Sequence, residues 1–151
     1  MATFSFTVDS TVPPERVLAA LTDFSDKRPD LWPTLSRKYY KVHSVTATSA
    51  EVTEGSHVFG GVWGRERYDW STPGTVTITM LESPIAVPGG TWTYTVKGNG
   101  SGGSTITCDM RRKSKGIKGR LVGALAQVAG AKLFKRNLEK TLTILKATPA
   151  A

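Results

Sequence analysis

Apolar and polar residues alternate from the start of the chain. Between Thr3 and Asp9, Phe4, Phe6 and Val8 share one side, the period of a half-buried strand. Pro13-Pro14-Glu15 then breaks the pattern, and Val17, Leu18 and Leu21 follow at helical spacing. A proline at the first helical position and an acid in the first turn suit a short helix running to about Thr22. A second short helix is expected over Phe24 to Leu31, ended at Trp32-Pro33 because the residue before a proline is pushed out of the helical region. From Tyr39 to Lys113 the period returns to two, punctuated by Pro73-Gly74, Pro88-Gly89-Gly90 and the glycine-rich run 98–103. This predicts an antiparallel meander with strands near 38–46, 49–57, 62–71, 74–82, 91–98 and 104–112.

The chain ends in a long helical pattern, roughly Lys115 to Lys146. Its expected sheet-facing seam is Ile117, Leu121, Ala124, Val128, Ala131, Leu138, Leu142 and Leu145. Gly116, Gly119, Gly123 and Gly130 weaken its first half, each by about 1 kcal/mol relative to alanine. Such a stretch implies either close backbone approach or space kept free.

At 151 residues, with 39% hydrophobic and 21% charged side chains, the chain suits one α+β domain and argues against disorder. Cys108 is the single cysteine, which excludes an intrachain disulfide and a cysteine-based zinc site. The start carries no basic-then-apolar leader, and the longest near-apolar stretch, Leu121 to Ala131, is too short to span a membrane, which takes about 20 residues. A cytoplasmic protein is the expectation. Charge changes the picture at one end. Residues 1–110 hold 9 Lys/Arg against 11 Asp/Glu, a net of −2, whereas residues 111–151 hold 11 against Glu139 alone, a net of +10. The excess reads either as a solvated helix face or as a surface for an anionic partner.

The order of strand, two short helices, six antiparallel strands and a long helix, with Val12-Pro13-Pro14-Glu15-Arg16-Val17 opening the first helix, resembles the START-like (SRPBCC) superfamily of polyketide cyclases and lipid-transport proteins. Leu21-Thr22-Asp23-Phe24 and Leu31-Trp32-Pro33 are similar to that superfamily's first crossing, and Trp63-Gly64-Arg65-Glu66-Arg67-Tyr68-Asp69-Trp70 to its small actinobacterial-type members. The resemblance implies a helix-grip fold: a seven-stranded antiparallel curved sheet wrapped around the C-terminal helix, with a cavity between them. It leaves function open among carriers and enzymes.

If Tyr68 and Trp70 face inward, alternation places Glu66 inward with them, with Tyr40, Ile78, Trp92, Tyr94 and Met110 as further wall residues; a one-residue shift of that strand would instead place Trp63, Arg65 and Arg67 inside. Ala124 and Val128, in the small-residue part of the helix, would close the site. Aromatic walls with a few hydroxyl and indole donors suit a hydrophobic small molecule or lipid, such as a fatty acid, isoprenoid or polyketide-like compound; ordinary core packing is the alternative. An inward carboxylate at Glu66 would have its pKa raised and serve as an acid or base, or else sit hydrated at the mouth. The same cavity would also serve a polyketide cyclase or aromatase. His43 and His57 lack a second histidine at ligand spacing, no G-x-S-x-G elbow is present, and Cys108 alternates inward as a small hydrophobe. No cofactor or metal is implied. Gly98, Gly100 and Gly103 match G-x-G-x-x-G, but a strand follows where a dinucleotide site needs a helix.

Arg111, Arg112, Lys113, Lys115, Lys118 and Arg120 form the densest charge cluster, beside a second apolar stripe of Val122, Leu125, Ala129 and Leu133. They would meet an anionic membrane, unless the stripe packs on the short helices. Nucleic acid is disfavoured because the aromatics point inward from strands. The chain is expected as a monomer or homodimer.

Overall fold

The computed structural model describes residues 1–57 and 60–148. The elements are β1 (Ala2–Ser10), α1 (Pro14–Leu21), α2 (Arg28–Leu31), β2 (Lys41–Val45), β3 (Ser49–Ser56), β4 (Val62–Asp69), β5 (Thr75–Glu82), β6 (Thr91–Gly98), β7 (Ser104–Arg112) and α3 (Gly116–Ala147). The seven strands form a single antiparallel sheet in the order β1-β7-β6-β5-β4-β3-β2. Consecutive strands from β2 to β7 are neighbours, and β1 closes on β7, so the two short helices lie in the connection between the sheet's two edges. This is the helix-grip architecture.

Register turns alternation into continuous rows of side chains. Ala50, Tyr68, Ile78, Trp92, Met110 and Phe4 pair across six strands, and Val76, Tyr94, Cys108 and Phe6 form the adjoining row. Both rows face the helical side and supply much of the core, while Thr75, Thr77, Thr93 and Thr95 take the opposite face. A bulge between Arg65 and Glu66 shifts β4 against β5, pairing Arg65 with Glu82 and Glu66 with Met80. Bulges re-aim side chains locally, and this one lies directly beside the carboxylate of interest.

Two predicted boundaries shrink. The expected strand from residue 38 begins only at Lys41, because Tyr39 and Tyr40 lie in turns, their amides donating to Ser36 O (3.1 Å) and Arg37 O (3.3 Å). The second helix covers Arg28–Leu31 and not the whole of 24–31. The Asp23 side chain accepts the Ser25 amide at 2.9 Å, a local turn that competes with helix, and Pro29 supplies no amide. Ala147 ends α3, and residues 149–151 lie outside the described residues.

The larger correction concerns α3. Its second half packs Leu138, Leu142 and Leu145 inward as the seam requires, but in its first half the seam is turned to solvent: Ile117, Leu121, Ala124 and Val128 are exposed. The buried positions there are Gly119, Val122, Gly123 and Gly130. The second apolar stripe does not hold together either, since Val122 is buried while Leu125 and Leu133 are exposed. Close approach is the reason. A Cβ on Gly119 would collide with the Ile85 backbone carbonyl, one on Gly123 with the Ser114 hydroxyl, and one on Gly130 would come within 2.6 Å of the Phe4 ring. Gly116, at φ +69, makes the sharp entry into the helix that L-residues resist. The helix is tied down at both ends: Lys115 N donates to Ile85 O at 2.9 Å, and Arg16 Nη2 donates to Leu145 O (2.9 Å) and Thr148 O (2.8 Å).

Gly119→Ala would force the helix off Ile85. The expected cost is about 1–3 kcal/mol despite alanine's better helix propensity, a fall in melting temperature of several degrees by calorimetry. A stabilised variant would mean that the helix does not rest on that carbonyl.

Candidate functional site

A cavity of about 210 Å³ lies between β3–β6, the α2 region and the second half of α3. Its apolar wall is Ile78, Met80, Trp92, Tyr94, Leu21 and Trp32, with Phe134 contributed by α3. The Phe134 ring sits 5.3 Å from Phe4 and 6.1 Å from Trp92, centroid to centroid. Into this wall the fold sets two groups of charge.

The first centres on Arg28, whose side chain is 4% exposed. Its Nε donates to Glu54 Oε1 at 2.5 Å and its Nη2 to the Tyr68 hydroxyl at 3.2 Å, while Tyr68 donates to Glu54 Oε2 at 2.9 Å. Nη1 donates to the carbonyls of Leu21 (3.1 Å) and Asp23 (2.9 Å), groups left free at the end of α1. The guanidinium also lies 4.6 Å from the Phe24 ring centroid and 5.1 Å from that of Tyr68. Burial alone would lower the Arg28 pKa, but Glu54 and Tyr68 overcome it and hold the cation above its ordinary range. Burial pushes the Tyr68 hydroxyl well above its usual value, and the Glu54 charge adds to it.

The second group is Glu66, Arg112 and Asn137. Glu66 lines the cavity on the sheet side, with Gly64 beside it: a Cβ on Gly64 would come within 2.8 Å of Met80 Sδ and 3.5 Å of Glu66 Oε1. Desolvation pushes the Glu66 pKa up to about 8, the Glu54 charge reinforces it, and Arg28 and Arg112 oppose it. At neutral pH the group is therefore largely a neutral acid able to donate a hydrogen bond. Arg112 reaches in from the end of β7 with its guanidinium 5.8 Å from the Trp92 centroid, and burial pulls its pKa down against the pull of Glu66. Arg112 Nε and Asn137 Oδ1 are buried and have no hydrogen-bond partner. One is a donor and the other an acceptor, and both residues line the cavity.

Of the expected wall, the structure brings together Glu66, Tyr68, Ile78, Trp92 and Tyr94. Tyr40 is not part of it: its hydroxyl donates to Ser25 O at 3.1 Å, tying the turn before β2 to the segment ahead of α2. Trp70 lies past the end of β4, where its Nε1 donates to Ala47 O at 2.9 Å and its ring stacks on Phe24. Met110 is 2% exposed, packed into the sheet's core row and not lining the cavity. Ala124 and Val128 face solvent, for the reason given above, and Phe134 and Asn137 occupy the place assigned to them. Arg112 turns into the cavity, away from the basic surface where Arg111, Lys113, Lys115, Lys118 and Arg120 remain exposed. His43 is exposed and bonds Thr53, His57 bonds Ser36 at 2.8 Å, and Cys108 is fully buried with its pKa pushed up to about 12 by burial.

Arg28, Glu54, Arg112 and Asn137 are thus the polar site residues that sequence reading misses, beside the apolar Leu21, Trp32, Met80 and Phe134. Three of the polar residues carried a signal: Glu54 follows Val52 and Ala50 at period two, Arg112 follows Met110 at period two, and Asn137 shares helical spacing with Gly130, Phe134 and Thr141. Arg28, within a charged run and ahead of a proline, carried none.

Sheet order, the long helix against the sheet and the cavity between them define the START-like class. The family described as polyketide cyclase / dehydrase and lipid transport matches residues 1–148, and the chain belongs to that family. Among solved structures it is similar to a START superfamily protein from Mycobacterium smegmatis (15% identity, 98% of this chain and 100% of that one, TM-score 0.75). It is also similar to the Zhui aromatase/cyclase from a Streptomyces species (17% identity, 95% and 93%, TM-score 0.72) and to a STAR-related lipid transfer protein from Xanthomonas axonopodis (15%, 95% and 85%, TM-score 0.70). At these identities the likeness shows the fold alone. No curated protein matches the sequence. No described helix is long and apolar enough to cross a membrane.

The Glu66 pKa has a consequence for stability. Folding raises it from 4.5 to about 8. At acid pH both states hold the proton and the contribution is fully present. As the pH climbs past 4.5 the unfolded chain sheds its proton first, so stability falls and levels off only above about 8. Urea unfolding at pH 5 and pH 8 should show the parent losing stability relative to Glu66→Gln, by a few kcal/mol at most. A difference that does not change with pH would place Glu66 in its ionised form throughout.

Proposed function

We propose that the protein binds a compact hydrophobic small molecule in this cavity, ring-bearing and carrying oxygen at one end. The observation that carries the reading is the pairing of an aromatic and aliphatic wall with a buried donor and a buried acceptor that the protein leaves unsatisfied. Unpaired buried polar atoms cost about 1–3 kcal/mol each, so a ligand that draws the Arg112 guanidinium and the Asn137 amide round into hydrogen bonds relieves both. The neutral Glu66 carboxyl adds a second donor. A volume of about 210 Å³ falls below the roughly 300–1,000 Å³ usual for ligand pockets, which favours a compact ligand over a long-chain lipid. Membership in a family that includes both lipid transport and polyketide cyclisation supports a hydrophobic ligand in general.

Native mass spectrometry of the purified protein, followed by extraction, tests this first. A stoichiometric oxygenated aromatic or polyketide-like mass is expected, and its addition should raise the melting temperature. In Arg112→Met, affinity for that ligand should fall about ten- to a hundredfold, the worth of a charged hydrogen bond. Unchanged affinity would remove Arg112 from the site.

A second reading is favoured by the raised Glu66 pKa alone: an enzyme of the cyclase or dehydratase kind. The Glu66 carboxyl would give its proton to a carbonyl or leaving hydroxyl oxygen, with Arg112 stabilising negative charge there. Glu66→Gln separates the two readings. A carrier keeps its ligand and has no turnover to lose. A cyclase binds its chain but loses product formation by about 10²–10⁴-fold, followed by chromatography of the released product.

A further inference from the structure

The first half of α3 presents to solvent a surface that neither the core nor the cavity uses. Ile117, Leu121 and Val128 are 81%, 64% and 89% exposed, and Leu125 is 49% exposed. At 3.6 residues per turn, positions 117, 121, 124, 125 and 128 fall in a stripe about 100° wide and about 17 Å long. It lies on the side of the helix opposite Gly119, Gly123 and Gly130, which touch the rest of the fold. Lys118, Arg120, Lys132 and Lys135 frame the stripe, Lys113 and Lys115 precede it, and all six are exposed. None is in an ion pair among the described residues; Lys118 Nζ donates to the Gly61 carbonyl at 3.2 Å. Glu139, three turns beyond Val128, is the sole acid after residue 110.

We propose that this face docks on an anionic lipid surface, with α3 lying in the plane of the interface. Its apolar stripe would seat at the boundary of headgroups and acyl chains, and its lysines and arginine would meet the lipid phosphates. Apolar side chains on one face with basic residues along the flanks are what an interfacial helix requires. Charge selects this occupant over a second copy of the chain. Two such faces brought together in a symmetric dimer would oppose like charges along their whole length. Single-stranded nucleic acid would need aromatic platforms beside the lysines, and the stripe has no aromatic residue. The surface is independent of the cavity's ligand: it stands or falls with residues the cavity does not contain.

Vesicle co-sedimentation tests it, using phosphatidylcholine alone and about 3:1 phosphatidylcholine to phosphatidylglycerol. The parent should partition onto the anionic vesicles, stay free of the zwitterionic ones and be released progressively by salt. Leu121→Ser with Val128→Ser leaves the charge unchanged and touches only exposed positions, so its melting temperature should match the parent's. Its partition should fall at least tenfold, since burying one such side chain is worth about that much. Three results would overturn the proposal. The parent could ignore anionic vesicles. The double variant could bind as the parent does, which would leave charge alone at work. Sedimentation could instead show a dimer that the double variant dissolves, giving the face to a second copy.

Discussion

A single buried cation holds the architecture of the site together. Arg28 has lost nearly all its water, and an unpaired charge in that position would cost several kcal/mol. What makes the position tolerable is complete pairing: a carboxylate from β3, a hydroxyl from β4 and the free carbonyls at the end of α1. These partners come from three parts of the chain that local sequence does not connect. The guanidinium therefore sets how far the helical connection stands from the sheet, and with that distance the floor of the cavity. α2 is a single turn and has no stability of its own. Its place is dictated by Arg28 from within and by Thr141, whose hydroxyl donates to Leu31 O at 2.7 Å, from α3.

This arrangement also decides the electrostatics of the neighbouring group. Two carboxylates, Glu54 and Glu66, face one small cavity. Arg28 is paired with Glu54, and the cations that oppose the Glu66 shift are Arg28 itself and then Arg112, whose own pKa is lowered by burial. Desolvation first, and the neighbouring Glu54 charge second, raise the Glu66 pKa. Glu54 takes the ion pair and Glu66 takes the proton. The site consequently offers a neutral acid, a cation and an amide oxygen within an aromatic enclosure, the chemistry that the proposed oxygen-bearing ligand calls for.

Much of the fold could be read in advance because its sheet obeys period two almost without exception. Thr77, Thr93 and Thr95 against Ile78, Trp92 and Tyr94 marked the inner face before any tertiary contact was known, whereas the inward placement of Glu66 hung on the register of its own strand. The polar half of the site was far less legible. Arg28 is buried by partners 5 to 40 residues away, and nothing in Lys27-Arg28-Pro29-Asp30 distinguishes it from a solvated run. Arg112 looked like one more member of a basic cluster, although alternation along β7 from Met110 already pointed it inward. There the density of neighbouring charge outweighed the periodicity, and the periodicity was the better guide.

The inverted half of α3 has a different origin. Periodicity reports that a helix has an apolar stripe, not which way the stripe faces. In Gly116 to Gly130 two solutions compete: the apolar residues at 117, 121, 124 and 128, three of them bulky, or glycines and small residues at 119, 123, 126 and 130. By apolar area the first should be buried. The space available settles it otherwise, because Ile85, Ser114 and Phe4 stand so close that backbone without a side chain is what fits at the contact. Packing closeness outranks hydrophobic area where the two conflict. The apolar side chains excluded in this way are left in water beside eleven basic residues and a single acid in the last 41 positions. A fold needing only to cover its sheet would be served by polar residues at 117, 121, 125 and 128. Their apolar character has no use inside the domain, and the proposed docking on an anionic lipid surface would give it one.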